Sequence, residues 1–212
     1  MSVQPEEPGL RERKRLATRR AIQHAVLTLT SERGIDKVTI EDISRVANVS
    51  QRTFFNYFPS KDAALVGDAP SLASPEDIEA FVHAGPGGDI LGQVSSLLAA
   101  SLTRTESDRE IHQLRRAVMK DNVYLFGMRM TTMREYEDQL QQVIARRFLV
   151  DCPARAEDPA ALNQQALLFT LIAVAAIRHA WRCWAEGDGA TSLSERVAAS
   201  FAEVYTISRQ TD

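Results

Sequence analysis

Apolar residues along this chain recur at spacings of three and four, the period of helices that bury one face. Ala21, Ile22, Ala25, Val26 and Leu29 make one stripe and predict a helix over 16–33, with Gly34 as its C-terminal stop. A short helix follows: Thr39 caps it, Asp42 completes a capping box, and Ile40, Ile43, Val46 and Ala47 fall at helical spacing. Asn48 stands where the chain must turn, a place Asn tolerates well because its side chain suits the left-handed conformation. Ser50 caps a second short helix, with Val49 and Phe54 as its hydrophobic staple and Phe58 one turn further on the same side. Pro59 ends that helix and Ser60 starts another at Lys61 and Asp62. Later stripes predict helices over 89–103, 106–120, 124–148 and 166–177. A last helix carries Leu193, Val197, Phe201 and Val204 behind a Ser192–Glu195 capping box. No stretch alternates long enough for a sheet, so the expected fold is all-α.

The second short helix carries the chemistry. Turning about 100° per residue from Phe54 places Arg52 and Asn56 opposite the buried side, flanked by Thr53 and Phe55. Arg pairs bidentately with guanine and Asn with adenine in the major groove, and Thr reaches a phosphate or a thymine methyl. Two short helices around a tight turn, the second offering such a row, predict a helix-turn-helix that reads double-stranded DNA. Lys61, in the first turn of the next helix, is poorly placed against the helix dipole unless a phosphate docks there.

The run TIEDISRVANVSQRTFFNYFPSKDAAL, with ERG closing the preceding helix, resembles the DNA-binding domain of TetR-family transcriptional regulators from about Arg15 to Leu65. The resemblance implies an N-terminal helix-turn-helix domain over 16–67 and a larger C-terminal helical domain over 68–212 for ligand binding and dimerisation. Base contacts would come from Arg52, Thr53 and Asn56. Thr39, Ser50, Gln51, Phe55, Tyr57 and Lys61 would contribute at the phosphates or beside them, with Arg15 and Arg19 from the basic segment. Two positions depart from the family: Phe55 stands where Tyr is usual, and Arg52 replaces a small residue.

Charge fits that division. The whole chain is acidic at −3, yet residues 1–67 hold 11 Lys+Arg against 8 Asp+Glu, a local +3. Arg11, Arg13, Lys14, Arg15, Arg19 and Arg20 face only Glu12, so residues 1–15 read as a flexible basic arm that follows phosphates or enters the minor groove. A solvated tail is the alternative. The N-terminus lacks the order of a signal peptide, and the apolar run 166–177 is too short to span a bilayer, which places the chain in the cytoplasm with no membrane partner. Cys152 and Cys183 have no metal spacing and the four histidines are scattered, so neither a metal nor another cofactor is expected. No nucleophile–base cluster or phosphate loop argues for an enzyme.

Run 166–177 is apolar all round and must be buried, inside the domain or against a partner. With the last helix it suggests a homodimer through helices around 166–185 and 193–205, as in TetR-like proteins. Met119, Phe126, Met130 and Met133, with Arg178 and Trp181, fit either a filled core or the wall of an adaptable pocket for a small apolar or amphipathic effector. The C-terminal half also resembles the branch with mycofactocin-system regulators, which implies acyl-thioester-like ligands as one option. The reading is a homodimeric repressor released from a pseudo-palindromic operator by that effector. The alternative is a ligand-independent regulator whose large domain only dimerises.

Overall fold

The computed structural model describes residues 9–68, 72–86, 89–104, 108–187 and 190–209. All regular elements among the described residues are helical, and they group into two compact units. The first comprises α1 (Leu10–Arg33), α2 (Ile40–Val46), α3 (Gln51–Tyr57) and α4 (Lys61–Val66), together with residues 110–130 from α7 (Arg109–Lys120) and the start of α8 (Val123–Asp151). In the second are α5 (Pro75–Val82), α6 (Ile90–Arg104), the remainder of α8, α9 (Pro159–Glu186) and α10 (Leu193–Arg209). Residues 110–130 therefore group with the N-terminal helices and not with the segment that follows residue 68. The cause is shared burial: Ile111, Val118 and Leu125 join Ile22, Val26, Ile43, Phe54, Phe58 and Leu65 in one core.

Local sequence explains most helix starts. Ser74 accepts from the backbone N–H of Asp77 at the start of α5, Asp158 from that of Ala161 at α9, and Ser192 from that of Glu195 at α10. α1 starts earlier than expected: Leu10 to Arg15 are helical, with Arg15 paired to Glu12 one turn back, so this part of the expected arm is ordered helix. The remaining arm residues, 1–8, lie outside the described residues.

α4 has only six residues, too few to persist alone. Its last carbonyls lack partners within the helix, and arginines supply them. Arg115 donates from Nε to the Leu65 carbonyl at 3.0 Å, and Arg129 donates to the carbonyls of Val66 and Asp68 at 3.5 and 2.6 Å. Arg19 holds the Asp68 carboxylate and also donates to the Tyr57 carbonyl at 3.0 Å, its guanidinium 4.2 Å from the centre of the Phe58 ring. Gly67 closes α4 at φ 71°, and a Cβ there would lie 2.8 Å from the Arg115 guanidinium. The positive φ requires glycine, and a side chain there would also push the Arg115 guanidinium aside. Burial lowers the Arg129 pKa, with Asp68 opposing that shift.

The second unit packs α10 against α9 and α6 around Val94, Leu98, Tyr136, Leu140, Ile144, Phe148, Val197 and Phe201. Arg147 is fully buried there, donating to the carbonyls of Phe81 and Gly85 and pairing with Asp151 at 2.7 Å. On α8, Leu125 is buried in the first core and Tyr136, Leu140 and Ile144 in the second, whereas Phe126, expected inward by spacing, is exposed. α9 differs most from expectation. Its 28 residues make it, among the described helices, long and apolar enough to cross a membrane, although the apolar run alone is too short. Within this one chain it is buried on one side only, which leaves its outer side for a partner. Small residues, Ala166, Ala173, Ala176 and Ala180, face the core, while Leu167, Leu168 and Leu171 are 42, 57 and 48 % exposed.

Two stability outcomes follow. Arg115→Met should lower unfolding free energy by about 1–3 kcal/mol, because a buried carbonyl loses a charge-assisted bond; denaturant titration checks this. His112 is held neutral by burial and by Arg115, Arg129 and Arg116, its pKa lowered from 6.5 to about 4. Between those values the unfolded chain binds a proton that the folded chain refuses, so stability must fall as pH drops from about 6.5 toward about 4. The loss should be on the order of 2–3 kcal/mol, and His112→Gln should flatten that part of the pH–stability curve.

Candidate nucleic-acid interface

Three short elements, α2, the turn and α3, are held by caps that the sequence supplies. Thr39 accepts from the backbone N–H of Asp42 at 3.1 Å, and the Asp42 carboxylate receives the Thr39 N–H at 3.3 Å and its hydroxyl at 2.7 Å. Those bonds, the Thr39 hydroxyl first and then Arg45, hold the Asp42 pKa below its usual value. α2 ends in a Schellman turn: Val49 N–H reaches the Ser44 carbonyl at 2.9 Å, Asn48 N–H reaches that of Arg45 at 3.3 Å, and Asn48 takes φ 53°. Asn48 is the residue at which the sequence placed a left-handed turn. The buried side of α2 is Ile43 and Ser44, flanked by half-buried Ile40 and Ala47; Val46 points outward.

α3 begins at Ser50, whose hydroxyl accepts from the Thr53 N–H at 3.0 Å and lies 2.8 Å from the Thr53 hydroxyl. Phe54 is fully buried and Phe58 nearly so, which orients the whole helix. Opposite them Gln51, Arg52, Phe55 and Asn56 are exposed, with Thr53 and Tyr57 half-buried at the margins. Phe55 stands edge-on to Phe54, ring centres 5.4 Å apart, so the exposed ring is braced by the buried one. The surface pairs a guanidinium and a carboxamide with an apolar ring, a combination suited to base edges and thymine methyls.

Two residues expected at phosphates are committed elsewhere. Lys61 Nζ turns back to donate to the carbonyls of Ile35 and Val38 at 2.5 and 2.9 Å, so it ties α4 to the 3₁₀ turn Ile35–Lys37. Arg19 is the pin between Tyr57 and Asp68 described above, with its side chain mostly buried. Both follow one rule: a cation beside helix-end carbonyls is drawn to them. Arg15 is exposed and paired with Glu12, and Arg11, Arg13, Lys14 and Arg20 are exposed along α1. The cationic strip thus lies on a helix. None of the arginines at the α4 exit was identified from sequence as such; their partners are backbone carbonyls, which leave no residue pattern.

The residues considered for an effector pocket divide. Met119, Phe126 and Met130 belong to the first unit, and Met133, Arg178 and Trp181 to the second. Met119 packs on the first core, Met133 and Trp181 on the second, while Phe126 and Arg178 are exposed. The six do not form one set within either unit. Among the described residues no group of three His, Cys, Asp or Glu could hold a metal.

Comparison with known proteins agrees with the geometry. The profile of "Bacterial regulatory proteins, tetR family" matches residues 22–66, which run from the buried part of α1 to the end of α4. The chain is 29% identical over 154 residues to the HTH-type transcriptional regulator TcmR of Streptomyces glaucescens, covering 69% of this chain and 67% of TcmR. It is 27% identical over 194 residues to MftR of Mycobacterium tuberculosis, named as a mycofactocin biosynthesis transcriptional regulator, covering 89% of this chain and 90% of MftR. A solved TetR-family regulator from Mesorhizobium loti aligns over 94% of this chain and 98% of its own at 18% identity, with a TM-score of 0.45. The capped helix pair, its Schellman turn and the matched profile converge: residues 22–66 carry the DNA-binding helix-turn-helix of tetR-family regulatory proteins, and the chain as a whole is similar to transcriptional regulators of that family.

Proposed function

We propose that this regulator is a homodimeric repressor that reads a pseudo-palindromic operator through α3 and is released by a small apolar or amphipathic effector. The observation that carries the reading is the solvent face of α3, where Arg52, Phe55 and Asn56 stand exposed around the buried Phe54. In this reading Arg52 and Asn56 read purine edges, Thr53 and Phe55 meet thymine methyls or backbone, and Thr39, Ser50, Gln51 and Tyr57 lie along the phosphates. Arg15 and the exposed cations of α1 add the salt-dependent part of affinity. Lys61 and Arg19 act indirectly, by holding α4 and the end of α3. A protein with this task works where the DNA is, in the cytoplasm.

Dimerisation is supported by the outer face of α9. Leu167, Leu168 and Leu171 form an exposed apolar row that a second copy would cover. In such a dimer the two α3 helices would enter major grooves about 34–36 Å apart. The effector would be held in the second unit, where Met133 and Trp181 pack on the core. It can release DNA only through a difference in affinity between two states, typically worth about 1–3 kcal/mol.

Two experiments separate the parts of this reading. On an operator recovered from the protein's own regulated promoter, Arg52→Ala should cost about 1–3 kcal/mol and relax preference at one base position, whereas Lys14→Ala should weaken all sequences alike and reduce the salt slope by about one unit. Uniform loss in both variants would remove Arg52 from base reading. Leu171→Glu should shift sedimentation from dimer to monomer with helicity retained; an unchanged dimer would place the interface elsewhere.

A further inference from the structure

His179 on α9 stands between groups on two helices. Its Nε2 lies 3.4 Å from the Cys183 Sγ, one turn further along α9, and its Nδ1 lies 3.1 Å from the Ser200 Oγ and 3.6 Å from the Glu203 carboxylate on α10. Cys183 is a free, partly exposed thiol. The tautomer of His179 can be worked out from the hydroxyl. Ser200 commits its single proton to the Arg196 carbonyl at 2.9 Å, so toward His179 it can only accept. Nδ1 therefore carries the hydrogen, and Nε2 presents its lone pair to the thiol. Glu203, half-exposed like His179, faces the nitrogen whose charge would grow if the ring took a second proton. Thiol, base and orienting carboxylate are thus arranged in sequence, the arrangement by which proteins activate a sulfur nucleophile.

We propose that Cys183 is a covalent modification site for soft electrophiles of the conjugated-carbonyl class, with His179 as its base. His179 Nε2 takes the thiol proton while sulfur forms a bond to the β-carbon of the alkene, and the π electrons move toward the carbonyl. The imidazolium then returns the proton to the α-carbon. The sum is addition of S–H across a C=C bond, with no oxidant or reductant consumed. This assignment stands apart from the reversible effector and from operator binding, because its readout is the chemistry of the thiol.

The chain supplies its own control. Cys152 is also free and is the more exposed of the two, but among the described residues no histidine is placed against it. Full-length protein treated with less than one equivalent of N-ethylmaleimide near neutral pH, then peptide-mapped by mass spectrometry, should carry label on Cys183 about tenfold sooner than on Cys152. His179→Ala should abolish that advantage and Ser200→Ala should reduce it, each with the circular dichroism of the parent. Preferential labelling of Cys152, absence of label on Cys183 in the native protein, or an unchanged Cys183 rate in folded His179→Ala would each overturn the proposal.

Discussion

The exit of α4 is the constraint on which the DNA-facing surface depends. None of α2, α3 and α4 exceeds seven residues, so none is stable by propensity. Three arginines outside these helices, and Lys61 at the start of α4, fix them in place. Arg19 joins the last carbonyl of α3 to Asp68 beyond α4, Arg115 and Arg129 take the carbonyls of Leu65, Val66 and Asp68, and Lys61 ties the start of α4 to the turn before α2. α4 is therefore bolted at both ends, and the angle at which α3 is shown follows from where those bolts sit. Charge-assisted bonds to buried carbonyls suit this use, being stronger than neutral ones and costly to leave unmade.

That division explains what could be read from the sequence. Thr39, Asp42, Asn48, Ser50 and Ser60 engage backbone three residues away, so their roles follow from spacing, and the caps and turn of the helix pair were legible although Val46, read as part of its apolar stripe, is exposed. Phe54 and Phe58 were equally readable, since burial on a short helix fixes its opposite face. Lys61 and Arg19 were not. Each looked like a phosphate contact by position, but each had helix-end carbonyls within reach, and a carbonyl has no sequence identity to betray it. Arg115 and Arg129 lie about 50 and 60 residues from their partners, beyond any periodicity.

Helix faces in the larger segment show the same limit. Spacing placed helices correctly but rotated some wrongly: Phe126 was assigned inward on α8 and is exposed, while Leu125 beside it is fully buried. For α9 composition predicted burial on every side, inside the domain or against a partner; alanines line the side buried within this chain and leucines the outer one. An apolar helix packed through small residues approaches its neighbours closely and leaves its larger residues available. This is the pattern from which a second copy of the chain is inferred.

The account's central claim is that two copies of α3 read DNA bases together. Selection from a pool of randomised duplexes tests it directly, because the enriched sequence records both what each helix reads and how far apart the two stand. The account predicts an inverted repeat with half-sites about one helical turn, 10–10.5 base pairs, apart or a multiple of it, each with a fixed guanine and a fixed adenine. A single half-site, a direct repeat, or enrichment without base preference would contradict it.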